Sequence, residues 1–315
     1  MIIFESLESV SSVFEATVVT IGNFDGVHVG HVRLIRRTVE IARQVGTAAV
    51  AFTFDPHPAA ILQPQNPPPP LTARGRKLDL LRPLGLDAVV VYPTDRQLLS
   101  LSWREFLEEL LLKKLRIRGI VEGPDFRFGR NREGDWQLLQ EWARERGVLA
   151  ELVPAVVVDG QPVSSSRIRA LISAGEVSAA NRLLSEPYRI QGRVVVGAKR
   201  GRTLGFPTAN LADVTTILPA QGIYAGRAYL AEGTAVYPAA ISIGPNPTFD
   251  ELGVKIEAYL LDFEGDLYGQ TIELEFLSRL RDIQRFDNVQ MLVEQMHRDV
   301  LATREITGCM LPIRS

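Results

Sequence analysis

Two histidines spaced three residues apart, His28 and His31, stand where an apolar run ends and an amphipathic run begins. Residues 16–21 are mostly apolar and β-branched, which predicts a buried strand, and apolar residues from Leu34 onward recur at helical spacing. The first turn of a helix carries free backbone N–H groups and the positive end of the helix dipole, and both attract phosphate. Two imidazoles on that turn would add donors that stabilise charge developing on a phosphate during its transfer.

The loop before this predicted helix is rich in glycine and polar residues. Its candidate ligand-binding residues are Gly22, Asn23, Phe24 and Asp25, with Gly30 between the histidines. The missing side chain at position 30 would let a ligand approach closely. Two other interpretations stay open: the histidines could cap the helix or pack in the core, or they could bind zinc. Zinc is the weaker alternative, because only His57 and His297 remain and no Cys or Glu set lies nearby at ligand spacing.

A segment of serines and arginines, residues 164–169, opens a later apolar helix. Ser165 and Ser166 would stand at the cap and Arg169 in the first turn. Cations in the first turn oppose the helix dipole. These arginines are therefore either solvated or held by a bound polyphosphate, which arginine forks and hydroxyl groups bind well. The residues alone leave both interpretations open.

An aspartate and two phenylalanines, Asp125, Phe126 and Phe128, follow a further predicted strand. Two phenylalanines at a strand end are commonly part of the core. An aromatic ring at such a place can also pack against a flat heterocycle. The sequence does not decide which ring, if either, contacts a ligand.

The second half of the chain contains a basic, glycine-rich loop. Its candidate ligand-binding residues are Gly197, Lys199, Arg202, Gly205 and Pro207. It is not a Walker A loop, because the segment from Gly197 to Gly201 is one residue short and Arg202 stands where lysine is needed. Thr208 and Asn210 lie two apart, so in an extended segment they point the same way and offer two oxygens, which predicts a Mg²⁺ site. A solvated hairpin is the alternative interpretation.

These residues need a scaffold, and the chain up to about residue 184 alternates short apolar strands with helical segments. Strands are predicted at 16–21, 47–53, 87–92, 117–122 and 148–153, and helices at 74–84, 103–115, 136–146 and 166–174. This alternation is typical of a Rossmann-like, doubly wound α/β domain with a parallel sheet. Gly22, Gly26 and Gly30 are spaced by four and do not form GxGxxG, so a tightly held NAD is not predicted.

After residue 187 the pattern changes to strands separated by Gly and Pro turns. Strands are predicted at 188–196, 223–230, 236–243, 254–262 and 271–277, followed by a helix at 288–304. This is typical of a small β-barrel with a C-terminal helix, and we expect two domains, 1–186 and 187–315. The proline-rich stretch 63–70 can be neither helix nor central strand, which predicts an extended surface loop.

Bulk properties narrow the function classes. At 315 residues the chain can form two domains, and its net charge of −2 offers no basic face for nucleic acid. No basic N-terminal leader and no apolar run near roughly 18 residues are present, so we expect a cytoplasmic protein without membrane partners. Cys309 is the only cysteine, which excludes a disulfide framework within one chain. A weak homo-oligomer stays open.

Several strings, in order along nearly the whole chain, resemble one family. Residues 22–31, GNFDGVHVGH, resemble the start of bacterial bifunctional riboflavin kinase/FMN adenylyltransferases, whereas HxGH alone is shared with other nucleotidyltransferases and class I aminoacyl-tRNA synthetases. Residues 123–129 and 164–169 resemble the adenylylating half, with Ser166 in place of the usual Thr. Residues 192–210 resemble the riboflavin kinase signature, and Leu280-Arg281 continue that resemblance.

The resemblance implies an α/β nucleotidyltransferase domain, a β-barrel kinase domain and two ATP-dependent reactions. Riboflavin would be phosphorylated to FMN by Mg-ATP, with Thr208 and Asn210 at the metal and Glu257 at the position of the family's proposed general base. FMN would then attack a second ATP, giving FAD and pyrophosphate. Charge in that step would be stabilised by His28, His31, Ser165, Ser166 and Arg169. Small molecules would be the only substrates.

Some residues depart from the family pattern, mainly in or beside the kinase half. Tyr259 replaces a frequent His, Ile283 a frequent acid, and Pro245-Asn246 alter a turn. By alternation alone, Glu257 is an ordinary surface residue of a strand. Two other functions therefore stay open: an adenylyltransferase with a degenerate kinase domain, and a non-catalytic flavin or nucleotide sensor.

Overall fold

The computed structural model describes residues 1–198, 200–230, 235–249 and 251–308. The chain divides into two compact units, one of Met1–Pro68 with Arg74–Ser164 and one of Pro69–Ala73 with the chain from Ser165 onward. The predicted division at residue 186 follows the motifs rather than this packing, and it stays a prediction. Among the described residues, no helix combines the length and the apolar character that crossing a bilayer requires.

The first unit is built on a six-stranded sheet in which every neighbouring pair is parallel, in the order β1-β4-β3-β2-β5-β6. The strands are β1 (Ile2–Phe4), β2 (Thr17–Ile21), β3 (Ala48–Asp55), β4 (Ala88–Pro93), β5 (Ile117–Glu122) and β6 (Leu149–Leu152). The strand order reverses between β2 and β5. A crevice for ligands forms at such a switch point, outside the carboxyl ends of the strands.

Helices cover both faces of this sheet. They are α1 (Leu7–Val13), α2 (Val29–Gln44), α3 (Pro58–Leu62), α4 (Arg74–Leu81), α5 (Arg96–Ser100), α6 (Trp103–Glu105) and α7 (Trp136–Arg146). Consecutive residues of β2, Val18 and Val19, belong to different apolar clusters, one on each face. Because both faces are buried, the central strands β2, β3 and β4 are mostly apolar, as the sequence predicted.

Some elements differ from the prediction. The helix expected at 103–115 begins as α6 and continues as a π-helix over Phe106–Lys114. Arg82–Leu84 form a 3₁₀ turn after α4, Arg130–Arg132 form another, and a small hairpin joins β7 (Val157–Val158) to β8 (Gln161–Pro162). The proline-rich stretch 63–70 contains neither helix nor strand, as expected.

The second unit is a closed six-stranded barrel in the order β10-β13-β12-β11-β14-β9. Its strands are β9 (Arg189–Val195), β10 (Ala209–Ala212), β11 (Gly222–Tyr229), β12 (Val236–Asn246), β13 (Glu251–Leu260) and β14 (Thr271–Arg281). Its helices are α8 (Ser165–Ser173), α9 (Val177–Asn181), α10 (Arg200–Thr203) and α11 (Val289–Thr307), with a 3₁₀ turn at Pro247–Phe249. Closure leaves no sheet edge unpaired. The sequence did not predict β10, which completes the barrel.

Candidate active sites

His28 and His31 lie together at the start of α2. His28 is the N-cap residue, and its Nδ1 accepts a hydrogen bond from the His31 backbone N–H at 3.2 Å. The two rings are stacked, with centroids 3.5 Å apart and an interplanar angle of 16°. The capping interpretation is therefore correct for His28. Because Nδ1 is the acceptor, the neutral ring carries its proton on Nε2, which makes Nε2 a donor.

Both imidazoles are neutral near pH 7. Burial lowers the pKa of His28 to about 4. Burial also lowers the pKa of His31 well below its usual range, and electrostatic repulsion of its protonated form by His28 and Lys77 lowers it further. This pair can donate hydrogen bonds to a phosphate, but it brings no positive charge of its own.

The loop before α2 is tightly packed under these rings. Phe24 is buried, has a positive φ of 46° and meets His31 edge-on at 5.3 Å between centroids. A Cβ at Gly30 would come within 3.1 Å of the His28 ring, and a Cβ at Gly22 within 3.2 Å of the Phe24 ring. Gly30 therefore makes room for the ring of His28, in addition to any room that it leaves for a ligand.

Two polar atoms of this region are buried without a hydrogen-bond partner among the described residues: Asn23 Oδ1 and His31 Nδ1. Buried polar atoms are rarely left without a hydrogen bond, so water or a ligand has to supply the missing partners of these two atoms. Asp25 is also buried here. The predicted loop residues and the histidines thus lie together after the carboxyl end of β2.

Sequence reasoning missed two residues at this edge of the sheet, Lys77 and Glu122. Lys77 Nζ donates to the backbone oxygen of Asn23 at 3.3 Å. Glu122 ends β5, is 2% exposed, and accepts a hydrogen bond from the Ile21 N–H at 2.7 Å. Burial raises the pKa of Glu122 well above its usual range, which favours the protonated form of its carboxyl group. The sequence did offer a signal for Glu122, because an acidic residue at the end of an apolar strand is unusual.

The predicted aromatic pair lies after β5. Phe126 and Phe128 are stacked with centroids 5.2 Å apart, and Phe128, which is buried, also packs on Phe106. Phe128 thus belongs to the core, whereas Phe126 is half-buried and Asp125 is exposed. Contact with a ligand by any of the three stays a prediction.

Ser165, Ser166 and Arg169 begin α8, which packs in the second unit, while the histidines belong to the first. Arg169 Nε donates to the Pro69 backbone oxygen at 2.8 Å, within the second unit. Their predicted cooperation with His28 and His31 stays a prediction.

The second unit holds a cavity of about 120 Å³ between the barrel and α11. Three predicted residues line it, Thr208, Glu257 and Arg281, together with the apolar or aromatic residues Phe206, Ile241 and Tyr259. Asn210 on β10 is the direct cross-strand partner of Glu257 on β13. An apolar chamber with a few convergent polar groups is typical of a small-molecule site.

The glycine-rich loop beside Asn210 is shaped by close contacts. A Cβ at Gly197 would overlap the Asn210 side chain, and one at Gly201 would overlap the Phe206 backbone oxygen. Gly205 has a φ of 86°, which favours glycine. Arg202 and Pro207 are exposed, and Lys199 lies outside the described residues.

The oxygens of Thr208 and Asn210 are the ligand type that Mg²⁺ prefers. Among the described residues, no group of three or more His, Cys, Asp or Glu could hold a metal ion, so a cation here would depend on these neutral oxygens and on substrate phosphates. The donor set fits a Mg²⁺ ion that arrives with a nucleotide.

An ion pair fixes Arg281 at the cavity wall. Its Nε and Nη2 donate to the Asp299 carboxylate at 3.0 and 2.7 Å, and Gln295 donates to the same carboxylate at 3.0 Å. Asp299 lies on α11 and is 7% exposed. The sequence did not single out Asp299, whose helical surroundings carry no distinctive pattern.

Comparison with known proteins matches the two units to two families. The family model described as FAD synthetase matches residues 10–167, and the one described as riboflavin kinase matches residues 184–307. The bifunctional riboflavin kinase/FMN adenylyltransferase of Escherichia coli K12 is 36% identical over 298 residues, covering 95% of each chain. That of Haemophilus influenzae is 32% identical over 300 residues, covering 95% of this chain and 97% of its own.

A solved structure is also similar over nearly its whole length. It is the crystal structure of a protein from Streptococcus pneumoniae named as a macrolide-efflux protein, with a TM-score of 0.86 and 32% identity. The similarity covers 96% of this chain and 98% of that one. The arrangement of an α/β unit followed by a barrel is therefore shared with a protein of known structure.

Proposed function

This chain belongs to the bifunctional riboflavin kinase/FMN adenylyltransferase family, and we propose that two separate sites in it make FAD from riboflavin in two ATP-dependent steps. The substrates and products are riboflavin, FMN, FAD and ATP. The observation that carries the proposal is the presence of two distinct constellations, the stacked histidines of the first unit and the Glu257 cavity of the second. We assign the first activity to residues 1–186 and the second to 187–315.

In the kinase step the 5′-hydroxyl of riboflavin attacks the γ-phosphate of ATP. An oxygen–phosphorus bond forms, the bond to the bridging oxygen breaks, and ADP leaves. Glu257 accepts the hydroxyl proton, while Thr208 and Asn210 would hold Mg²⁺, which supplies charge neutralisation when bound. The apolar cavity wall, including Phe206, accommodates the flavin ring.

The glycine-rich loop has a supporting part in this step. We assign nucleotide binding to this loop, through Gly197, Lys199, Arg202, Gly205 and Pro207. Arg281 binds substrate at the cavity wall, where Asp299 holds its guanidinium group.

In the adenylylation step a phosphate oxygen of FMN attacks the α-phosphate of a second ATP, and pyrophosphate leaves. FMN phosphate is already anionic, so the step needs positioning and charge stabilisation rather than a base. His28 and His31 donate hydrogen bonds as neutral imidazoles. The proposed binding residues are Gly22, Asn23, Phe24, Asp25, Gly30, Asp125, Phe126, Phe128, Ser165, Ser166 and Arg169.

Incubation of the purified protein with riboflavin, ATP and Mg²⁺, followed by chromatography, tests the proposal. Both FMN and FAD should form. Conversion of supplied FMN alone would identify a single-activity adenylyltransferase, and binding of flavin without turnover would identify a sensor. We place both reactions in the cytoplasm, where ATP is made available, and we assign no nucleic-acid or membrane partner.

A further inference from the structure

Lys77, on α4, is held beside the paired histidines by neutral oxygens. Its Nζ donates to the Asn23 backbone oxygen at 3.3 Å and reaches Thr53 Oγ1 at 3.5 Å. Thr53 Oγ1 donates in turn to the same Asn23 oxygen at 3.2 Å. The side chain is half-buried, and both of these hydrogen-bond partners are neutral oxygens. A lysine so placed keeps donor capacity for a further acceptor.

Charged groups of both signs surround Lys77, namely Asp25, Asp55 and Arg74. Burial lowers the pKa of Lys77, while the carboxylates of Asp25 and Asp55 raise it. The Asp55 carboxylate also forms an ion pair with Arg74 at 3.4 Å, so part of its negative charge is offset there. The charge of Lys77 also acts on His31, whose imidazole is neutral. Lys77 therefore supplies the positive charge that the two histidines lack.

The position matches the crevice of the sheet. Asn23 follows β2, and Thr53 lies near the carboxyl end of β3. The buried atoms Asn23 Oδ1 and His31 Nδ1, which lack partners among the described residues, are in the same cluster. A cation, two unsatisfied polar atoms and a helix N-terminus thus converge at the edge where ligands bind in such sheets.

We propose that Lys77 is a catalytic residue of adenylyl transfer, whose ammonium group donates to a phosphate oxygen bound beside His31. The inference rests on the proposed function. As the FMN oxygen bonds to the α-phosphorus, the bond to the bridging oxygen breaks and its electron pair stays on pyrophosphate. Lys77 stabilises the negative charge redistributed in this step and transfers no proton.

Two substitutions separate charge from structure. Lys77→Gln removes the charge, but its amide can still donate to Asn23 and Thr53, so the loop keeps a hydrogen bond. Lys77→Arg keeps the charge with a different shape. Lys113→Met is the matched control, because Lys113 is an exposed lysine of the same unit whose ion pair is with Glu109.

The experiment measures FAD formation from supplied FMN and ATP, the reverse reaction from FAD and pyrophosphate, riboflavin phosphorylation, and Tm. Lys77→Gln should lower kcat in both directions by the same factor, about 100-fold, with KM changed little. Lys77→Arg should recover a part of this loss, and Lys113→Met should match the wild type. Kinase activity in every preparation reports that the second unit is folded.

Three outcomes would overturn the inference: Lys77→Gln within threefold of the wild type, a loss confined to KM, or a loss that follows Tm in all Lys77 variants. A wild type that forms no FAD from FMN would instead contradict the proposed function itself. The experiment therefore distinguishes a failure of the Lys77 inference from a failure of the proposed function.

Discussion

Asn210 and Glu257 stand directly opposite each other on the adjacent strands β10 and β13 of the barrel. Opposite residues of an antiparallel pair share a face and have Cβ atoms about 4.5–5.5 Å apart. The proposed metal ligand and the proposed base are therefore neighbours, although 47 positions separate them in the chain. Pairing of β10 with β13 brings the two residues together, as the proposed kinase mechanism requires.

Glu257→Gln should abolish the kinase step and spare the adenylyltransferase. The amide keeps the shape of the carboxylate but cannot accept the hydroxyl proton, so FMN formation should fall by about 10²–10⁴-fold. Conversion of supplied FMN to FAD should stay at the wild-type rate. Glu264→Gln, an exposed glutamate of the same unit, is the control. Equal loss of both steps in Glu257→Gln would contradict separate sites.

His28 combines capping with the proposed hydrogen bond to phosphate, and substitutions can divide these roles. His28→Asn should keep α2 stable, because Asn is a good N-cap, yet lower FAD formation. His28→Ala should lower FAD formation and also cost about 1 kcal/mol of stability through the lost cap. Thermal melts and FAD assays on both variants check this. An Asn variant with full activity would leave His28 with a capping role only.

The buried His28 also predicts how stability depends on pH. Its folded pKa of about 4 lies below the ordinary 6.5, so the unfolded chain binds the proton first. The stabilising contribution is present above pH 6.5 and is lost as pH falls toward 4, for a total of about 3 kcal/mol. Denaturant titrations at several pH values should show a smaller loss in His28→Asn than in the wild type. An equal loss of stability with falling pH in the two proteins would contradict the lowered pKa of His28.

Glu122→Gln should stabilise the protein at alkaline pH. The amide oxygen can still accept the Ile21 N–H bond, and the variant has no carboxyl group to ionise in the unfolded chain. Because burial raises the folded pKa of Glu122, wild-type stability falls as pH rises above 4.5, whereas the variant escapes this loss. The gain in Tm should be largest near pH 8 and shrink toward pH 4.5. A lower Tm for the variant at pH 8 would show that the carboxyl group has another partner.

Asp299→Asn tests whether α11 positions Arg281. The change weakens a buried ion pair and should destabilise the second unit by up to about 3–5 kcal/mol, while kinase activity falls and FAD formation from FMN persists. Asp262→Asn, which removes an exposed pair with Arg304, should cost about 1 kcal/mol or less. Unchanged kinase kinetics in Asp299→Asn would show that the reaction does not depend on the positioning of Arg281 by Asp299.

The sequence predicted much of the fold because its strands are short, apolar and separated by clear turn residues. The Ile117–Glu122 strand and the Trp136–Arg146 helix have the predicted bounds. Strand β10 was missed because Ala209–Ala212 is four residues long and follows a proline. Its identity as a strand depends on partners in β9 and β13, which no local pattern records.

The candidate sites were predicted where chemistry is concentrated in one string, as at His28 and His31. Lys77 and Asp299 could not be predicted in this way, because each lies on a helix of ordinary composition. Lys77 gains its place only when α4 packs beside the ends of β2 and β3, and Asp299 when α11 covers the barrel. Gly30 was predicted to admit a ligand, and the structure shows that it also admits the ring of His28.

The most direct test of two independent sites is a mixture of two inactive variants. Glu257→Gln alone should convert no riboflavin, and His31→Ala alone should stop at FMN. Mixed with riboflavin, ATP and Mg²⁺, they should together produce FAD, because FMN released by one variant is the substrate of the other. A mixture that accumulates FMN without FAD, while the Glu257→Gln variant fails on supplied FMN, would contradict the account.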